Sequence, residues 1–182
     1  QAISWLGVDA IRNIALALGD PAACAAVAGC TPLNIFGGPG TITPAMLAFI
    51  AQSFPQAKLA PDDAFVFAQA QSFNSYLCST VHIAHAHKMR GYRWATEESS
   101  FADMKRKVPE TMGACFALIE RDMLRGPWVM GEQYTICDPY LYAIELWLDG
   151  DGVDLATLPK VAAHRKRMEE RPAVKKALAQ VK

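Results

Sequence analysis

From residue 43 onward, apolar positions recur at helical spacing, and polar faces, prolines and glycines divide them into segments. Thr43-Pro44 reads as a helix start, with a hydroxyl at the cap and proline at the first turn, and Met46, Leu47, Phe49 and Ile50 follow. "SFPQAKLAPDD" is a linker ending in a second cap at Asp62. The pattern then predicts a long helix over 62–89, whose bulky positions are Phe65, Phe67, Phe73, Tyr76 and Leu77. Another helix is expected over 100–124, kinked near Pro109 and stopped by Gly126-Pro127. "TICDPYLYAIELW" predicts an apolar helix over 135–148 that opens with a capping box. The Thr135 hydroxyl is placed to accept from the Asp138 amide, and the Asp138 carboxylate to accept from the Thr135 amide. "TLPKVAAHRKRMEE" makes a further helix that Pro172 halts, and "PAVKKALAQ" gives a short last one.

Residues 1–42 have a different texture. "VDAIRNIALALGD" fits an amphipathic helix, and "TPLNIFGGPGTI" reads as two short strands around a Gly-Gly-Pro-Gly turn. The expectation is therefore an α+β chain, predominantly α: a small layer over 1–53 ahead of an all-α bundle over 62–182. At 182 residues the chain is long enough for one good core or two small packed layers.

Eighteen basic residues balance eighteen acidic ones, which argues against nucleic acid or an anionic membrane as the main partner. The 52% of hydrophobic residues fits either a buried subunit interface or an Ala-rich helical core, and both stand open. Five cysteines, Cys24, Cys30, Cys78, Cys115 and Cys137, lie among apolar neighbours with no Cys-x-x-Cys pair, the pattern of reduced core thiols in a cytoplasmic protein. No signal peptide or membrane span is expected, because Asp20-Pro21 breaks the longest apolar stretch near the start. The first residue is Gln, which leaves room for a start further upstream.

"GPWVMGEQYTICDPYLYAIELW" followed by "LPKVAAHRKRMEERPAVKKAL" resembles the C-terminal domain of bacterial glutathione S-transferases, of the beta type. The shared features are a glycine-flanked loop, a Thr/Ser-x-x-Asp box, a proline-led helix with His-x-x-Arg, and "RPAV" before the last helix. Upstream, "GCTPLNIFGGPGTITPAMLAFIAQSFP" is similar to the end of that family's thioredoxin-like half, which would here be shortened by a strand and a helix. The resemblance implies a glutathione S-transferase-like fold with a shortened thioredoxin-like layer. It also implies a cytoplasmic detoxification enzyme, a homodimer that conjugates glutathione, as co-substrate, to small hydrophobic electrophiles. The alternative is a non-catalytic module of the same fold used for binding or assembly.

Individual residues follow from the same resemblance. Thr43 stands where the family's serine holds the γ-glutamyl carboxylate, and a helix N-terminus suits an anion in any case; a plain N-cap is the competing reading. Ile42 replaces the Glu or Gln that would hold the amine. Pro32 falls at the family's cis-proline, where the backbone of Thr31 would pair with the cysteinyl unit. Ser4 is the hydroxyl nearest the place of the thiolate-stabilising residue but a residue or two away from it, and an ordinary exposed serine near a terminus is the favoured reading. "CSTVHIAH" is similar to the family's Ser-Ser-x-x-His, which puts His82 at the border of the cleft, with Tyr76, Met89, Tyr92 and Trp94 lining an apolar pocket or, on the other reading, packing in the core. Cys78, His82 and His85 have the spacing of metal ligands on one helical face, but no fourth ligand is apparent and no metal is expected. Arg165, Lys166 and Arg167, with Glu169 and Glu170, read as a solvated face with i,i+4 pairing.

Overall fold

The computed structural model describes residues 43–179. α1 (Thr43–Ser53) starts at the expected Thr-Pro pair and turns Met46, Leu47, Ile50 and Ala51 inward. The next cap is Asp63, one residue beyond the expected Asp62: its carboxylate accepts from the Val66 amide at 2.9 Å. α2 (Ala64–Tyr76) passes through a π-helical turn, Leu77–Val81, into α3 (His82–Ala86), so the long helix ends three residues before the expected 89. α4 (Glu98–Leu118) carries Pro109 inside it and ends in a second π-helical turn, Ile119–Met123. α5 (Cys137–Glu145) and the short α6 (Leu148–Asp151) replace the single helix expected over 135–148. α7 (Pro159–Glu170) and α8 (Pro172–Ala179) complete the described part.

This corrects the α+β expectation. Among the described residues the regular structure is helical, and pairing of the β type is limited to one isolated bridge between Trp128 and Gly131. The two strands were expected from "TPLNIFGGPGTI", which lies outside the described residues, as does the shortened thioredoxin-like layer read over the start of the chain.

α5 is the element around which the others assemble. It packs against α2 on one side and α7 on the other, α4 packs on α3 and α6, and α8 closes against α7. The interior is aliphatic: Leu47, Leu77, Met112, Phe116, Leu141 and Ile144 are at most 1% exposed. A helix buried all round needs its first amides satisfied from inside the protein, because water cannot reach them. The capping box supplies this with one change of register. Asp138 accepts from the Thr135 amide at 2.6 Å as expected, while the Thr135 hydroxyl accepts from Cys137 at 3.3 Å instead of from Asp138.

Two further devices fix the bundle. Glu120, in the second π turn, accepts the Lys160 and Val161 amides at 2.9 and 3.0 Å, so a carboxylate forty residues away caps α7. The loop before α5 folds back on itself, with Trp128 and Gly131 exchanging backbone hydrogen bonds at 3.0 Å. Gly131 there has φ +102°, and a Cβ on Gly126 would come within 3.0 Å of the Gly131 backbone, so both positions call for glycine.

Candidate functional site

Ser4, Thr31, Pro32 and Ile42 lie outside the described residues, as does the side chain of Thr43; the backbone of Thr43 opens α1. Five candidate pocket residues are described. Tyr76 is half-buried, and its hydroxyl donates to the Cys115 carbonyl on α4 at 3.3 Å. Burial and that bond hold the phenol well above its ordinary pKa. Met89, Tyr92 and Trp94 follow α3 and are 80%, 62% and 44% exposed. Trp94 meets His87 edge to face, ring centroids 4.4 Å apart. His82 has no hydrogen bond or ring contact with Tyr76, Met89, Tyr92 or Trp94; its ring partner is Trp147, 5.3 Å away and nearly perpendicular.

The π-helical turn explains how His82 reaches Trp147. One residue inserted into the helix rotates everything after it by about 100°, while Leu77 and Val81 within the turn remain fully buried. His82 and His85 then both face the start of α6. His85 stacks on Trp147 at 4.2 Å and 21°, and its Nδ1 lies 2.6 Å from Asp151, whose side chain is fully buried. A carboxylate only accepts, so the proton belongs on Nδ1 of His85. The other Asp151 oxygen takes Lys88 at 3.2 Å, and Lys88 also donates to the Gly150 carbonyl. Burial, then Arg90, His85 and Arg93, press the pKa of His82 down to about 4, which leaves its imidazole uncharged at neutral pH.

A second polar cluster lies in the core. His164 is fully buried, with Nδ1 2.7 Å from Glu145 and Nε2 3.3 Å from Asp138. Asp138 also accepts from the Val129 amide at 2.8 Å. Burial alone would pull the imidazolium pKa down; hydrogen bonds to the two carboxylates outweigh it and push His164 up to about 9. Burial likewise raises Glu145, against the pull of His164. Both shifts express one proton retained where two carboxylates and an imidazole meet. The edge of Trp128 approaches His164 at 5.9 Å, and Arg167 and Arg171 lie over the Trp128 ring at 5.4 and 5.6 Å. Arg167 also donates to the Pro127 carbonyl, so it does not share the solvated face on which Arg165 pairs with Asp149 and Glu169.

Sequence reasoning missed both clusters. Nothing local joins His85 to Asp151, sixty-six positions apart. His164 did leave a signal, because it stands between Val161 and Met168 at helical spacing, on the stripe that is buried. Among the described residues no group of three or more His, Cys, Asp or Glu is arranged to hold a metal ion, and Cys78, Cys115 and Cys137 are free thiols. No helix among them is long and apolar enough to cross a membrane.

Residues 85–180 match the family described as glutathione S-transferase, C-terminal domain. The chain is similar to the solved structure of a glutathione transferase homolog from Sulfitobacter with bound glutathione, at 48% identity and TM-score 0.74, covering 75% of this chain and 66% of that one. A sphingomonad glutathione S-transferase complexed with glutathione is 27% identical, with TM-score 0.64 and 75% and 65% of the two chains covered. Glutathione S-transferase GstA of Escherichia coli O157:H7 is 24% identical over 136 residues, 74% of this chain and 64% of its own length. The chain therefore spans a little under two thirds of the length of these relatives.

Proposed function

The chain belongs to the bacterial glutathione S-transferase family, with the likeness in its C-terminal helical domain, and from that premise we propose that it binds reduced glutathione and joins its thiol to small hydrophobic electrophiles. The observation that carries the reading is the 48% identity to a homolog whose structure holds glutathione. The reaction needs the thiol ionised, because the thiolate is the nucleophile: it attacks an electrophilic carbon, a carbon–sulfur bond forms, and the leaving group departs with its electron pair.

In this proposal the γ-glutamyl carboxylate sits at the N-terminus of α1, where free amides, the helix dipole and the Thr43 hydroxyl favour an anion. The backbone of Thr31 beside Pro32 pairs with the cysteinyl unit, and Ser4 donates to the thiolate. Ile42 offers no partner to the amine, which points to weak binding. The electrophile lies along His82, Met89, Tyr92 and Trp94, with Tyr76 behind them; the exposed apolar area after α3 and the uncharged His82 support this. A cytoplasmic homodimer is part of the same proposal.

A second reading, a non-catalytic binding or assembly module of the same fold, draws on Ile42. The test is the conjugation rate with glutathione and 1-chloro-2,4-dinitrobenzene. Saturable, enzyme-proportional formation of the conjugate is expected. Glutathione binding with no rate above the uncatalysed background would overturn the transferase reading in favour of the module.

A further inference from the structure

Among the described residues neither ring nitrogen of His82 has a hydrogen-bond partner. An uncharged imidazole offers a donor on one nitrogen and an acceptor on the other, so what it presents to a ligand depends on how the ring is turned. The ring is held from behind. Trp147 is its neighbour at 5.3 Å, His85 lies flat on Trp147 at 4.2 Å, and Asp151 fixes His85 through the 2.6 Å bond to Nδ1. Asp151 is itself immobilised: its side chain is fully buried, and its second oxygen bonds Lys88, which is anchored on the Gly150 carbonyl. The series runs from α6 to α3 and ends on the half-buried His82.

We propose that Asp151, His85 and Trp147 are positioning residues that set the orientation of His82 at the electrophile side of the site. This rests on the placement of His82 in the function proposed above. Burial first, then the charged groups facing it, Arg90, His85 and Arg93, keep His82 neutral, while the indole keeps it oriented. Asp151 and Lys88 are ion-paired at 3.2 Å, which leaves His85 as the member of the series whose charge reaches His82.

The test uses the full chain and four variants: His85→Gln, Trp147→Leu, Asp151→Asn and His82→Gln. Two readouts are taken, the kinetics with glutathione and 1-chloro-2,4-dinitrobenzene, and the His82 proton titration by NMR. His85→Gln and Trp147→Leu are expected to raise the His82 midpoint by about one pH unit, because a nearby positive charge or a desolvating ring is removed. His85→Gln and Asp151→Asn are expected to lower kcat about tenfold with the glutathione KM unchanged, and His82→Gln combined with either should add no further loss. His85→Gln is the milder change should the buried Asp151 variant fail to fold. A wild-type His82 titration in both His85→Gln and Trp147→Leu would overturn the proposal, as would wild-type kcat in His85→Gln. If the wild-type protein shows no turnover, it is the transferase reading that falls; the NMR arm then decides whether the series holds His82.

Discussion

One carboxylate, Asp138, serves three partners: the Thr135 amide at 2.6 Å, the Val129 amide at 2.8 Å and His164 at 3.3 Å. The first was legible in the sequence as a capping box, because a cap acts over three residues. The other two were not, because a loop and a helix 9 and 26 positions away must fold back before they meet it. Asp138→Asn should therefore cost more than an ordinary cap. Two buried amides lose a charged acceptor and a buried imidazolium loses one of its two anions, so a loss of roughly 3 kcal/mol is expected in urea unfolding. A loss under about 1 kcal/mol would match a surface cap and contradict the cluster. His164 gives a pH signature. Its folded pKa of about 9 exceeds the ordinary 6.5, so its contribution to stability is fully present below 6.5 and is lost as pH rises through 9. Glu145, also raised, works in the same direction. The melting temperature should fall between pH 6.5 and 9.5, and His164→Gln, less stable at neutral pH, should show a flatter curve. Parallel curves for the two proteins would refute a retained proton.

At the scale of elements, prolines, caps and apolar period marked α1, the continuous run of α2 and α3, α4, α5, α7 and α8, and what they missed has a physical cause. Both π-helical turns insert a residue without disturbing composition, so a 3.6-residue pattern reads straight across them, as it did through Leu77–Val81. The helix expected over 135–148 divides after Glu145 into α5 and α6, a break that no proline or glycine marks in the sequence. Glu120 shows what an insertion can do, since from the second turn it reaches the open end of α7, where Pro159 supplies no amide. Glu120→Ala is predicted to lower stability by about 1–2 kcal/mol, the range for a lost N-cap. Glu120→Gln should recover part of this, because an amide oxygen still accepts; equal losses in the two variants would argue against the capping role.

For the whole molecule, the helical bundle and the family were readable because the C-terminal phrases keep their order and spacing around α5, the helix most enclosed by others. The α+β expectation rested on the glycine-rich segment before Thr43, and the described residues carry helices alone beyond the Trp128–Gly131 bridge. Of the candidate site, the sequence located the His82 helix but not its support, because Trp147 and Asp151 reach it only through tertiary packing. Recognition of glutathione is the claim on which the rest of the functional account depends, and calorimetric titration of the purified chain with reduced glutathione tests it most directly. Saturable heat is predicted, with affinity weakened about tenfold, or roughly 1.4 kcal/mol, in Thr43→Ala. No heat at millimolar glutathione, or equal affinity in the two proteins, would contradict binding at the head of α1.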